Sequence, residues 1–191
     1  MPEEAVVQRG LEDVIALESR ICFIDGKGGR LLYQGYDIRE LASASTFEEV
    51  AYLLWYGRLP TSKQLADLRA RLGTLRELPS AVTDVLDRIP PTSQPMDVLR
   101  TAVSALAVFE PAETKPGASS IGGAQRLTAV IPSILGYFHR RRTGLAALQP
   151  RPDLSQAAAL LHALRDEPPS ELEVRALDVA LILHADHELN A

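Results

Sequence analysis

Ile21-Cys22-Phe23-Ile24-Asp25-Gly26-Lys27-Gly28-Gly29-Arg30-Leu31-Leu32 decides the fold class, because it is the one stretch that reads clearly as strand. Two short apolar runs, Ile21 to Ile24 and Leu31-Leu32, flank a Gly-rich turn, which is the pattern of a β-hairpin. The hairpin is placed over residues 20–38. Gly26-Lys27-Gly28-Gly29 is not a phosphate loop: the Gly-x-x-x-x-Gly-Lys-Ser/Thr spacing and a preceding buried strand are both missing, and the dinucleotide pattern fails too.

Outward from that hairpin the periodicity is helical, and residues 46–186 are read as helices. Thr46-Phe47-Glu48-Glu49 is a capping box before Val50, Ala51, Leu53 and Leu54, with Gly57 as C-cap. Thr61-Ser62-Lys63-Gln64 repeats the grammar before Leu65, Leu68 and Leu72, and Gly73 is expected to close that helix. A short helix over Ala81 to Ile89 stops at Pro90-Pro91, and another runs over 95–109 with Pro95 in its first turn. Residues 111–120 read as an exposed loop. A long helix over 122–142 contains Pro132, where a kink is expected. Asp153-Leu154-Ser155-Gln156 is expected to cap a helix ending near Arg165, and Ser170-Glu171-Leu172-Glu173 to cap a last helix over 171–186. Residues 1–19 are a polar lead-in with one apolar patch, Val14 to Leu17. The fold class is therefore mainly α with a small amino-terminal β-hairpin.

Composition narrows the function. Of 191 residues, 46% are hydrophobic and 24% charged, enough for a sizeable core in an ordinary soluble chain. A net charge of -5 argues against nucleic acid as a partner. The basic run His139-Arg140-Arg141-Arg142 falls at a helix end, where it complements the helix dipole. Cys22 is the single cysteine, set in an apolar run, and reads as a buried structural thiol. Met1-Pro2-Glu3-Glu4 is unlike a signal peptide, and no apolar stretch approaches the ~20 residues that span a bilayer, so a cytoplasmic setting without a membrane partner is expected. In the 95–109 helix, Val98, Leu99, Val103, Leu106, Val108 and Phe109 cover most of the circumference, which calls for a further subunit or chain segment to bury it.

The chemistry concentrates at the end: His184-Ala185-Asp186-His187-Glu188-Leu189-Asn190-Ala191. On a continuous helix, His184 and His187 share a face. Three readings stand open. A metal site needs further ligands, and the His-Glu-x-x-His motif fails because its second His would fall at Ala191. A structural pair would have one His hydrogen-bonded and the other partly exposed. A catalytic cluster would exploit titratable groups at the end of an apolar helix.

Four stretches in order resemble one family. Ile24 to Ile38 is similar to the amino-terminal hairpin of citrate synthases, and Thr46 to Leu54 with Gly57 and Leu59-Pro60 to the helix after it. Met96-Asp97-Val98-Leu99-Arg100-Thr101-Ala102-Val103-Ser104 resembles a core helix of that family, and Arg175 to Ala191 its first active-site segment. The resemblance implies a citrate-synthase-like helical bundle, with residues 1–191 as the amino-terminal part of its large helical domain, truncated relative to the family. It implies condensation of acetyl-CoA with oxaloacetate to citrate and CoA, a tricarboxylic acid cycle step, with propionyl-CoA used by close relatives. No cofactor is implied beyond acetyl-CoA as substrate, and no metal.

By motif position, the resemblance makes His187 the catalytic histidine that hydrogen-bonds the thioester oxygen, with His184 and Asn190 supporting. The family's catalytic Asp, second His and oxaloacetate arginines belong to its carboxy-terminal half, so the chain by itself is expected not to turn over. Relatives often carry Asn-Phe in the helix matching 156–164, where this chain reads Gln156-Ala157-Ala158-Ala159-Leu160-Leu161-His162. The implied partners are a second copy, through helices 95–109 and 122–142, or a carboxy-terminal half. The competing reading is a non-catalytic dimerising or regulatory subunit.

Overall fold

In the computed structural model, residues 19–109 and 121–187 are described. The readings of Val14 to Leu17, of the 111–120 loop and of Asn190 fall outside them.

The Gly-rich turn works as expected. Asp25 accepts the Gly28 N–H at 2.8 Å, and strands β1 (Cys22–Asp25) and β2 (Arg30–Tyr33) pair antiparallel with Cys22 opposite Tyr33. A third strand, β3 (Tyr36–Asp37), was not expected. It follows a two-residue turn in which both Gln34 (φ 49°) and Gly35 (φ 87°) are left-handed. That backbone matches the twist of a tight hairpin, and glycine enters it freely while glutamine does so at a cost of roughly 1–2 kcal/mol. The sheet order is β1-β2-β3.

Helix α1 (Ile38–Ala44) begins directly after β3, inside and beyond the residues assigned to the hairpin. Its start signal is Asp37, which accepts the Arg39 N–H at 2.9 Å. In α2 (Phe47–Tyr56) the Thr46–Glu49 box forms, and Gly57 ends the helix at φ 71°. In α3 (Ser62–Thr74) the Thr61–Gln64 box forms. Gly73, however, is inside the helix, and Leu75 is the C-cap. Glycine is needed there for space: a Cβ would meet the Pro152 carbonyl oxygen at 2.2 Å.

Helices α4 (Ser80–Arg88), α5 (Pro95–Phe109) and α6 (Ile121–Thr143, with Pro132 inside) follow within a residue of expectation. α7 (Gln156–Leu164) is capped by Ser155, whose hydroxyl accepts the Ala158 N–H at 3.2 Å. Asp153 does not cap it and instead pairs with Arg151 at 2.6 Å. α8 (Glu171–Leu183) starts on the Ser170–Glu173 box, as expected, but ends at Leu183 rather than 186.

Three apolar clusters hold these elements. Val82 and Leu86 of α4, Val98, Ala102 and Leu106 of α5, and Val130, Ile134 and Phe138 of α6 form one. Tyr52, Leu68, Leu72, Leu75 and Ala129 join α2, α3 and α6. Cys22, Tyr33, Leu41, Val50, Leu53 and Ile182 join the sheet to α1, α2 and α8. Cys22 is buried, as read. Outside these clusters α5 stays uncovered: Met96 is 72% and Val108 71% exposed, so its apolar surface exceeds what the described residues bury.

The basic run does more than face a dipole. Arg140 is buried, bonds the Ala146 carbonyl and pairs with Asp166, while Arg141 donates to the Ile89 carbonyl at 2.6 Å. These arginines fasten α6 to the loops around it.

Candidate active site

Helix α8 carries the candidate site, and its seat is polar and specific. Asp178, buried on α8, accepts the Phe47 N–H at 3.0 Å and the Arg175 guanidinium at 2.9 Å. Arg175 also donates to the carbonyls of Ala42, Ser43 and Ser45, at 3.1 Å for Ser43 and 2.8 Å for Ser45. One cation thus satisfies carbonyls at the carboxy end of α1, and one anion an N–H at the amino end of α2, each matching the local helix charge. At the start of α8, Arg165 and Ser170 hold the Glu173 carboxyl down at about 2, and that capping anion stays charged at neutral pH.

The expected common face for His184 and His187 does not exist, because the helix ends before them. His184 is the C-cap. It is exposed, and its Nδ1–H donates to the Ala180 carbonyl at 2.7 Å, which leaves Nε2 as acceptor in the neutral ring. His187 lies three residues beyond the C-cap, exposed and outside any helix or strand. Among the described residues, no three His, Cys, Asp or Glu side chains gather into a metal-binding group.

The turn that presents His187 is held by a residue the sequence did not single out. Tyr33, fully buried at the end of β2, donates its hydroxyl to the Asp186 carbonyl at 2.9 Å and accepts the Asp186 N–H at 3.2 Å. Burial pushes the Tyr33 phenol above its usual range, with the bond from the Asp186 N–H pulling the other way. The i,i+3 spacing of Arg175 and Asp178 was legible; their partners more than a hundred residues away were not.

Gln156 is buried at the start of α7. Its backbone N–H donates to Glu48 at 2.7 Å, its amide bonds the Thr128 carbonyl, and its oxygen accepts Arg76 at 3.4 Å. Both ends of the Gln156 amide thus have a partner within the fold. His162 lines a separate cavity of about 710 Å³ between α4, α6 and α7, with Arg76, Tyr137, Arg140 and Arg151, and no residue of α8 contributes to its wall.

A family model described as the citrate synthase C-terminal domain matches residues 10–191. The chain belongs to the citrate synthase family. The citrate synthase of Haloferax volcanii is 40% identical over 190 residues, covering 97% of this chain and 50% of the relative. The 2-methylcitrate synthase of Shewanella oneidensis is 42% identical over 183 residues, covering 95% and 48%. Among solved structures, citrate synthase from Thermotoga maritima superposes with a TM-score of 0.84 at 35% identity, covering 97% of this chain and 48% of that one. The Thermoplasma acidophilum citrate synthase, solved as a ternary complex with carboxymethyl coenzyme A and oxaloacetate, superposes at 0.87 with 30% identity over 95% and 48%. The chain spans about half the length of the relatives it matches. The citrate-synthase-like helical architecture is thereby shown, and among the described residues no helix is long and apolar enough to cross a membrane.

Proposed function

We propose that this chain supplies part of the active site of a citrate-synthase-type acyltransferase, which joins acetyl-CoA to oxaloacetate and releases citrate and CoA in the cytoplasm. The observation that carries the reading is the place of His187: exposed, just past the end of a helix whose axial position is fixed by Arg175 and Asp178. A ring presented on a rigid stem is what a hydrogen-bond donor to a thioester oxygen requires. Negative charge grows on that oxygen as the methyl group loses its proton, and a preorganised donor stabilises it more than it stabilises the ground state. The base that takes the proton, the second histidine and the arginines that grip oxaloacetate come from a carboxy-terminal half. His184, its Nδ1–H tied to Ala180, stabilises the turn rather than the reaction. Asn190 follows as a supporting residue.

A second copy is the partner we assign to the exposed side of α5, where Met96 and Val108 stand in solvent. The competing reading, a non-catalytic subunit, is favoured by one observation: the Gln156 side chain is buried and engaged with Thr128 and Arg76 inside the fold. Measuring CoA release from acetyl-CoA, and in parallel from propionyl-CoA, with and without a separately supplied carboxy-terminal half separates the two. Release only in the paired sample supports the enzyme. No release from either thioester by a pair shown to associate supports the non-catalytic subunit.

A further inference from the structure

The hydroxyl of Tyr33 hydrogen-bonds both the N–H and the C=O of one residue, Asp186, 153 positions away in sequence. We propose that Tyr33 is a positioning residue for the turn from His184 to His187, fixing through Asp186 the backbone from which the His187 imidazole is presented; this rests on the citrate-synthase-type reading of His187.

A phenylalanine would fill the same apolar space between Cys22, Leu41 and Ile182, and would bury no polar atom. The hydroxyl is compensated because α8 ends at Leu183, which leaves Asp186 outside the helical ladder with both an N–H and a C=O to satisfy. One phenol can donate and accept at once, so a single atom takes both. Two local hydrogen bonds also hold the turn: Ala185 N–H to the Ile182 carbonyl at 3.2 Å, and His184 to Ala180. The Tyr33 bonds at Asp186, the residue next to His187, tie the turn to the hairpin.

Tyr33 itself is placed rigidly. It pairs with Cys22 on β1, and the left-handed Gln34-Gly35 turn follows at once and returns the chain as β3, with Tyr33 opposite Tyr36. The hairpin thereby acts as a template for the turn. Burial, which keeps the phenol protonated, preserves the donor that the Asp186 carbonyl needs.

Amide exchange by NMR on the chain itself tests the clamp. In Tyr33→Phe, the Asp186 amide is expected to exchange about tenfold faster or more, while the Leu53 amide in α2 changes only as global stability does. An Asp186 rate that is unchanged, or that moves by the same factor as Leu53, overturns the clamp. Should Tyr33→Phe not fold, 3-fluorotyrosine at position 33 keeps ring and hydroxyl and makes the phenol more acidic; the Asp186 amide shift must then follow its titration, and a shift blind to that titration overturns the clamp equally.

The role in the reaction is read with the paired carboxy-terminal half. Tyr33→Phe should lower kcat about tenfold with KM for acetyl-CoA within about twofold. Leu86→Ala, in the α4–α5–α6 core, should cost stability and leave kcat in the wild-type range. Equal kcat for wild type and Tyr33→Phe overturns the positioning role. A wild-type pair that releases no CoA is the distinct failure of the enzyme reading, and the exchange result at Asp186 is unaffected by it.

Discussion

Asp178 of α8 caps the first N–H of α2 at Phe47, 3.0 Å away and 131 residues earlier in the chain. With Arg175, which closes the carboxy end of α1, it locks the stem of the site onto two other helices through charge-assisted bonds.

Asp178→Ala removes a buried acceptor and leaves both the Phe47 N–H and Arg175 short of a partner. Desolvated groups left unpaired cost about 1–3 kcal/mol. Asp178→Asn retains an acceptor for Phe47 and should lose less. Urea unfolding checks the order: wild type most stable, Asn between, Ala least, with the slope unchanged.

The crossing of α6 over α7 depends on Gly136, where a Cβ would meet the Ala163 Cβ at 2.4 Å. Alanine at 136 gains about 1 kcal/mol in helix propensity but overpacks the contact, which costs about 1–3 kcal/mol. We expect Gly136→Ala to be destabilising overall. In a double-mutant cycle with Ala163→Gly, the pair should lose less than the sum of the single losses, because removing the facing methyl reopens the space.

The raised pKa of Tyr33 sets a dependence at alkaline pH. The folded protein holds this proton more tightly than the unfolded chain, whose tyrosine titrates near about pH 10. Stability from Tyr33 is therefore complete below that value and is lost as pH rises through the folded pKa. Denaturation series on wild type and Tyr33→Phe should show the gap between them narrowing with increasing pH above about 10. A constant gap would contradict this.

At acid pH the sign is opposite. Arg165 and Ser170 hold the Glu173 carboxyl at about 2 against an ordinary 4.5. Its contribution is present above the unfolded value and is lost as pH falls through the folded one. Glu173→Gln should thus be less stable than wild type near neutrality, by a small amount for so exposed a group, and the two should converge as pH drops from about 4.5 toward 2.

Local grammar made much of this fold legible. The boxes at Thr46, Thr61 and Ser170 and the Gly57 stop each act within one helical turn, and each forms as read. The errors share a cause. Gly73 looked like a terminator, yet it serves contact with Pro152, far along the chain and invisible to a local reading. α8 was read as running to about 186, whereas it ends at Leu183 and the Asp186 N–H and C=O bond the distant Tyr33 instead. For the site, the His184–His187 segment was evident from its residue types and its resemblance. Its supports, Tyr33 and the partners of Arg175 and Asp178, were not, because tertiary hydrogen bonds leave no period in the sequence.

The most direct measurement is CoA release from acetyl-CoA and oxaloacetate by the site completed with a carboxy-terminal half, comparing wild type with His187→Gln. A histidine donating to the developing thioester oxyanion predicts a loss of about 10²–10³ in kcat. Activity within a few-fold of wild type in His187→Gln, in protein that is folded and paired, would contradict the assignment.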